Sequence, residues 1–252
     1  MARPLHILRG ITLLVLAWIY VVIHTSIFTL VSLLTWRKFN HWWLPLNAHL
    51  FGHTILWMCG IKLEIEGQEY LSFPTPRVVI FTHQSLLDFL WLCAILPPGA
   101  VVVTKKEFMY IPFVNLAIWA AGSLFIDRKN HKRALRTIEA LPSRILRERL
   151  SLFMAPEGTR SPSGEILQFK KGPFRVASSQ NIPLYPVVVH GAFELLPKNR
   201  VLPRTGTIRV RCLPPVPTTD WQQGEIESHI TDVRSMMIKT FEELGNTNHS
   251  TH

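Results

Sequence analysis

A single stretch decides the fold: residues 78–88 read VVIFTHQSLLD. Its first four residues are apolar and mostly β-branched, which is typical of a strand that is buried on both faces. Polar residues begin at Thr82, and a helix-like pattern starts a few positions later. Open α/β sheets place functional groups at the carboxyl ends of such strands. His83 and Asp88 are therefore the first candidates for a functional site.

The spacing of these two residues restricts how they can meet. Five positions along a straight helix rotate a side chain by about 140°, so the two would not share a helical face. They can meet if His83 lies in the turn after the strand and Asp88 lies on the first turns of the helix. Asp88 would then fix one tautomer of the imidazole and leave the other ring nitrogen free. We expect His83 to be a general base and Asp88 to be its partner.

The surrounding sequence alternates strand and helix patterns, which indicates an α/β domain with helices packed over a sheet. The half-exposed strand at 61–65 shows the change most clearly, because apolar and charged residues alternate there. Further strands are predicted at 78–82, 101–103, 124–126, 152–154, 185–190 and 207–213. Helices are predicted at 86–96, 107–120, 131–141, 172–180 and 225–244.

The N-terminal region is more apolar than the rest of the chain. Residues 11–35 contain no charged side chain. A helix of that length measures about 37 Å, which is enough to cross a bilayer with some tilt. Two basic residues lie on each side of this run, so the distribution of positive charge leaves the orientation open.

A second charge-free stretch, residues 42–61, is interrupted by Pro45 and several polar residues. It fits either a segment at the lipid–water interface or a second, imperfect span. We therefore divide the chain into membrane-anchoring helices at 1–60, a main domain at 61–244 and a disordered polar tail at 245–252.

Charge and cysteine content restrict the class of partner and the compartment. The 27 Lys and Arg exceed the 17 Asp and Glu, which gives a net charge of +10 and favours an anionic partner. The apolar N-terminus favours lipid, and the basic residues lack a nucleic-acid-binding motif, so we expect no nucleic-acid partner. The three cysteines form neither a disulfide framework nor a metal motif, and we expect a domain that faces the cytosol and binds no metal.

Three further blocks follow the first stretch in order. Lys105 lies just after a predicted strand, and residues 122–128 read GSLFIDR, ending in Arg128. Residues 154–161 read MAPEGTRS, in which Gly158 permits unusual backbone angles and Arg160 suits bidentate binding of a phosphate. The last block, IPLYPVV, brackets the start of a buried strand with two prolines.

The order and the residues of these blocks resemble the 1-acylglycerol-3-phosphate O-acyltransferases, within the wider glycerolipid acyltransferase family. The resemblance rests on the His-x4-Asp pair and the Pro-Glu-Gly-Thr-Arg block, and it covers about residues 61–190. Thr82 stands where an Asn commonly precedes the histidine, and Ala155 where a Phe commonly precedes the proline.

The resemblance implies a mixed sheet flanked by helices after the membrane-anchoring segment. It also implies transfer of an acyl chain from a thioester to the sn-2 hydroxyl of 1-acyl-glycerol-3-phosphate, without a covalent acyl-enzyme or a cofactor. His83 would remove the hydroxyl proton, and Asp88 would orient His83. The residues implied to bind substrate are Lys105, Arg128, Glu157, Gly158, Thr159 and Arg160.

The expected partners are membrane phospholipids, a lysophospholipid acceptor, and acyl-coenzyme A or an acyl carrier protein as donor. The expected location is a bacterial inner membrane with the catalytic domain in the cytoplasm, with the endoplasmic reticulum membrane as the alternative. Two other functions stay open: acylation of a different lysolipid, and a catalytically silent membrane protein that binds lipid.

Overall fold

The computed structural model describes residues 2–36, 38, 40–72, 75–112, 114–126 and 136–246. The strands are β1 Ile61–Glu66, β2 Arg77–Phe81, β3 Ala100–Lys105, β4 Leu124–Ile126, β5 Ser151–Met154, β6 Leu184–His190 and β7 Gly206–Cys212. The helices are α1 Ala2–Leu34, α2 Asn40–Met58, α3 Asp88–Ile95, α4 Val114–Ala120, α5 Leu141–Glu148, α6 Lys171–Ser178, α7 Ala192–Leu195 and α8 Ile226–Asn246. Short 3-10 helices cover Gln68–Leu71, Lys106–Tyr110 and Gln223–Glu225.

Within the described residues, the strands form one sheet in the order β1-β7-β6-β2-β5-β3-β4. The five strands from β6 to β4 are parallel, whereas β7 runs antiparallel to β6 and parallel to β1. The predicted mixed sheet with helices on its faces is therefore confirmed. Every residue of β2 is buried, and the apolar run that follows Arg77 is typical of a central strand.

The alternating side chains of β2 divide the interior into two apolar cores. Val79 and Phe81 pack on the face covered by α2 and α3. Val78 and Ile80 pack on the opposite face, beneath α5, α6 and α8. Helices on both faces leave the strand ends open, and the functional groups lie at the carboxyl ends of the central strands.

Helix α1 contains the segment Val15–Leu34, the one described segment that is long and apolar enough to cross a membrane. It exposes large apolar side chains, among them Ile23, Leu30 and Leu34. Its other face is buried at Thr25 and Phe28. The predicted apolar N-terminal helix is thus present, and it lies partly against the rest of the protein.

Helix α2 continues through Pro45 and packs on α3, where Phe51 and Leu56 are buried in the core that also covers the sheet. The segment 42–61 is thus mostly one helix with a face packed inside the domain. The division of the chain at residue 60 stays a prediction.

One predicted helix differs in the structure, and a proline explains the difference. The helix expected at 107–120 is a 3-10 helix followed by α4, because Ile111 before Pro112 adopts an extended conformation. Of the helix expected at 131–141, residues 131–135 lie outside the described residues and residues 136–139 are helical. Helix α5 then begins at Leu141, with Pro142 in its first turn, a favourable position for proline. Helix α8 reaches Asn246, two residues past the predicted end, and the rest of the predicted tail lies outside the described residues.

Candidate active site

Two of the sequence blocks meet at one edge of the sheet. Strands β2 and β5 are neighbours and parallel, with Ile80 opposite Met154, so the loops that follow them lie side by side. We call residues 82–88 the histidine loop and residues 155–161 the cation turn. The amide of Ser161 donates to the carbonyl of His83 at 2.9 Å, which ties the two segments together.

Asp88 holds the imidazole of His83 from the start of α3. Its Oδ2 lies 2.8 Å from His83 Nδ1 and also accepts from the backbone amides of Gln84, at 2.7 Å, and Ser85, at 2.8 Å. Its Oδ1 accepts from Trp91 Nε1 at 2.9 Å. The side chain is 1% exposed, so this set of donors fixes the carboxylate and, through it, the ring.

The other ring nitrogen of His83, Nε2, has no hydrogen-bond partner within the described parts of the chain. The side chain is 26% exposed, and Phe81 packs against the ring edge with 6.2 Å between centroids. With Nδ1 donating to Asp88, Nε2 of this partly exposed ring carries the lone pair. That is the arrangement of a general base.

Glu157 connects the cation turn to the histidine loop. One carboxylate oxygen accepts from the amide of His83 at 2.8 Å and the other from the amide of Leu167 at 3.0 Å. The side chain is 3% exposed. Burial raises the pKa of Glu157 against the opposing effect of these two hydrogen bonds. The contacts favour a positioning role, and the direct substrate contact expected for Glu157 stays a prediction.

Residues 158–160 of the cation turn are less buried than the residue on either side of them. Gly158 has φ of 70°, in the region that favours glycine, and its amide donates to the Ala155 carbonyl at 3.1 Å. Thr159 is exposed, and Arg160 is half-buried. No described residue forms an ion pair or a hydrogen bond with the Arg160 guanidinium, which is therefore available to an anion.

The other predicted binding residues lie further along the sheet or outside the described residues. Lys105 is exposed at the carboxyl end of β3, two strands from β2, or about 10 Å at the backbone. Arg128 follows β4 and lies outside the described residues. The structure adds Lys170, whose side chain crosses over Gly158 and which no motif in the sequence singles out.

An apolar cavity with a volume of about 130 Å³ lies between α1, α2, α3, α4 and β3. Phe89, which is next to Asp88 on α3, lines this cavity. Its other walls are mostly apolar, among them Phe28, Phe51, Leu92, Val102 and Ile118. The hydrogen-bonded pair His24 and Asn47 contributes a polar group to the wall.

Other nucleophiles and metal ligands give no competing site in the described structure. Within those residues, no group of three His, Cys, Asp or Glu side chains is placed to hold a metal ion. Burial raises the pKa of the Cys93 thiol and of the Cys212 thiol to about 12. Such thiols are poor nucleophiles, because the thiolate is the reactive form.

Comparison with known proteins agrees with the resemblance seen in the sequence. The model of the Acyltransferase family matches residues 62–190. The 1-acyl-sn-glycerol-3-phosphate acyltransferase of Saccharomyces cerevisiae is 35% identical over 203 residues, which are 79% of this chain and 66% of that protein. The corresponding alpha enzyme of Homo sapiens is 32% identical over 191 residues, 76% of this chain and 68% of that protein.

The fold is also that of a solved structure, the 1-acyl-sn-glycerophosphate (LPA) acyltransferase PlsC from Thermotoga maritima. The two chains superpose with a TM-score of 0.81 at 24% identity, over 97% of this chain and 98% of the other.

Proposed function

This chain belongs to the Acyltransferase family, and we propose that it transfers an acyl chain to the sn-2 hydroxyl of 1-acyl-glycerol-3-phosphate, giving phosphatidate. The observation that carries the proposal is the imidazole of His83, bonded to Asp88 at one nitrogen and free at the other. The choice of 1-acyl-glycerol-3-phosphate as the acceptor rests on the relatives that are named for this reaction.

The geometry supports a direct transfer with His83 as general base. Nε2 takes the proton of the sn-2 hydroxyl while the hydroxyl oxygen forms a bond with the carbonyl carbon of the thioester. The tetrahedral intermediate collapses by breaking the carbon–sulfur bond, and the imidazolium returns the proton to the thiolate. Asp88 stabilises the imidazolium through its bond to Nδ1 and keeps the ring in place.

The acceptor's phosphate would bind at the cation turn. Arg160 has no described protein partner, and its planar fork suits bidentate binding of a phosphate. The hydrogen bond from Ser161 to the His83 carbonyl keeps this turn next to the base. Lys105, at the exposed carboxyl end of β3, and Arg128, outside the described residues, are proposed as further cations around the phosphate or the developing oxyanion.

The apolar cavity is suited to an acyl chain. A hydrocarbon chain gains about 0.8 kcal/mol for each methylene group that it buries. Phe89 links the cavity wall to the helix that carries Asp88, so a chain held there stays close to the histidine loop.

We further propose that α1 attaches the protein to a membrane, because the lysophospholipid acceptor is a membrane lipid. The exposed apolar side chains of Val15–Leu34 support this attachment. A bacterial inner membrane, with the catalytic domain in the cytoplasm, stays part of the proposal. So does the identity of the donor, either acyl-coenzyme A or an acyl carrier protein.

The test is acyl transfer by membranes containing wild type, His83→Ala or the control His53→Ala, with labelled lysophosphatidate and a long-chain acyl thioester. His53 is exposed on α2 and does not line the cavity. We expect phosphatidate from wild type and the control, and a rate lower by about 10²- to 10⁴-fold for His83→Ala.

Product with another lysolipid but not with lysophosphatidate would change the acceptor and keep the mechanism. A His83→Ala variant with most of the wild-type rate would refute the general base. Wild type that acylates no lysolipid would leave a lipid-binding protein without catalysis.

A further inference from the structure

One lysine outside the recognised sequence blocks reaches the centre of the cation turn. A Cβ placed on Gly158 would lie 2.8 Å from both Cε and Nζ of Lys170 and 3.0 Å from its Cδ. The far end of the lysine side chain therefore passes directly over the glycine. The ammonium group lies against the turn that also carries Arg160.

The backbone of Lys170 is tied to the same turn. Its amide donates to the Pro156 carbonyl at 2.8 Å, while Glu157, the next residue, bonds to the amide of His83. The backbone of Lys170 is therefore held against the cation turn, and Glu157 joins that turn to the histidine loop. This hydrogen bond fixes the point from which the Lys170 side chain extends over Gly158.

The side chain of Lys170 has no counter-ion within the described residues. The next residue, Lys171, differs in this respect, because its ammonium forms an ion pair with Glu227. The two adjacent lysines are therefore chemically matched, but only Lys171 has its charge balanced by a described carboxylate. Neither this ammonium nor the Arg160 guanidinium has a counter-ion within the described residues, and two such cations at one turn are suited to a phosphate.

We propose that Lys170 is a substrate-binding residue that contacts the acceptor's phosphate together with Arg160. The inference rests on the proposed function and names a residue of the same site. It also assigns a second reason for glycine at 158. Any side chain there would displace the Lys170 ammonium, in addition to the strain of a positive φ.

The test compares Lys170→Ala, Lys170→Gln and Lys170→Arg with the matched control Lys171→Ala. Binding of labelled lysophosphatidate and of monoacylglycerol, which lacks the phosphate, is measured in mixed micelles at fixed detergent. Turnover is measured in parallel, and thermal unfolding identifies any variant that fails to fold.

We expect Lys170→Ala and Lys170→Gln to weaken lysophosphatidate binding by about 10- to 100-fold, the loss typical of a hydrogen bond to a charged group. Monoacylglycerol binding should not change, because it has no phosphate. Lys170→Arg should recover part of the loss, and Lys171→Ala should stay within about twofold of wild type. The loss should appear in KM, with kcat nearly constant, because the phosphate contact is the same in substrate and transition state.

Equal losses for the two lipids would overturn the inference, since they would indicate a structural role for Lys170. Unchanged lysophosphatidate binding in the folded variants would also overturn it. The two proposals can fail separately. Wild type that binds lysophosphatidate through Lys170 without forming phosphatidate would refute the proposed reaction and retain the binding residue.

Discussion

The histidine loop and the cation turn lie side by side, and the contrast between them is between two charged groups, Asp88 in the first and Arg160 in the second. In the histidine loop, the Asp88 carboxylate is filled by donors from the protein itself. In the cation turn, Arg160 has no described protein partner. A charged group whose hydrogen bonds are all made within the protein fixes the geometry of the site before substrate binds. A charged group without a protein partner can bind the substrate instead. Loss of a carboxylate that the protein itself fills should therefore lower kcat, and loss of the unfilled Arg160 should raise KM.

Asp88→Asn should have the largest effect, with kcat lower by about 10³- to 10⁴-fold. An amide presents one acceptor and one NH₂ group, so it cannot serve the ring, the two loop amides and Trp91 together. The imidazole would no longer be held in the tautomer with its proton on Nδ1. The loop would also be less stable, by about 1–3 kcal/mol for an unpaired donor. Steady-state kinetics and thermal unfolding measure both effects.

Trp91→Phe is the control for this prediction, because it removes the bond to Oδ1 and leaves the contact between Asp88 and His83. It should retain most of kcat. An Asp88→Asn enzyme with near-normal kcat would show that the filled carboxylate is structural only, and the contrast between the two regions would fail.

Arg160→Ala should have the next largest effect, a rise of about 10- to 100-fold in KM for lysophosphatidate. The unfolding midpoint should barely change, because the guanidinium stabilises no described residue. Arg160→Lys should recover only part of the affinity, since an ammonium lacks the planar fork. A large loss of thermal stability in Arg160→Ala would contradict the assignment of this side chain to substrate.

The sequence was sufficient for local geometry and insufficient for contacts across the fold. His83 and Asp88 lie five positions apart around a strand-to-helix turn, so their pairing follows from secondary structure. Glu157 bonds to an amide 74 positions away. No periodicity in the sequence reveals such a contact, and the block that contains Glu157 therefore predicted a substrate ligand without revealing its buried bonds.

The sequence also did not reveal the position of Lys170 or the effect of the two prolines on their helices. Lys170 lies at the start of α6, and only the approach of that helix to Gly158 places its ammonium over the turn. Pro112 and Pro142 each follow an apolar residue in the sequence. One interrupts a helix and the other lies in the first turn of a helix, and the backbone around each proline determines the outcome.

Glu157→Gln should lower kcat by about tenfold, a smaller effect than Asp88→Asn, because it moves the His83 backbone without removing a group from the ring. It also has a pH signature. Burial raises the pKa of Glu157 above its ordinary value of 4.5, so wild type loses stability as the pH rises through the folded-state pKa. Glutamine does not titrate and lacks this loss.

The stability difference between wild type and Glu157→Gln should therefore be largest in acid and narrow as the pH rises. Thermal unfolding of both proteins at about pH 5 and about pH 8 measures it. A difference that widens with pH would show that the two amide bonds outweigh burial. Glu157 would then favour its ionised form in the folded protein.

Thr82→Val should have the smallest effect on catalysis, although Thr82 is adjacent to the base. The Thr82 hydroxyl is buried and accepts from the Val189 amide at 3.0 Å, so it faces the sheet and not the ring. Valine would leave that amide unpaired and cost about 1–3 kcal/mol of stability. Because the bond lies within the sheet, kcat below the unfolding temperature should stay within about threefold of the wild-type value.

Thr82→Ser keeps the hydroxyl that accepts this bond and should retain more stability than Thr82→Val. A fall in kcat as large as that of Asp88→Asn, with the fold intact, would place this hydroxyl among the groups that orient His83.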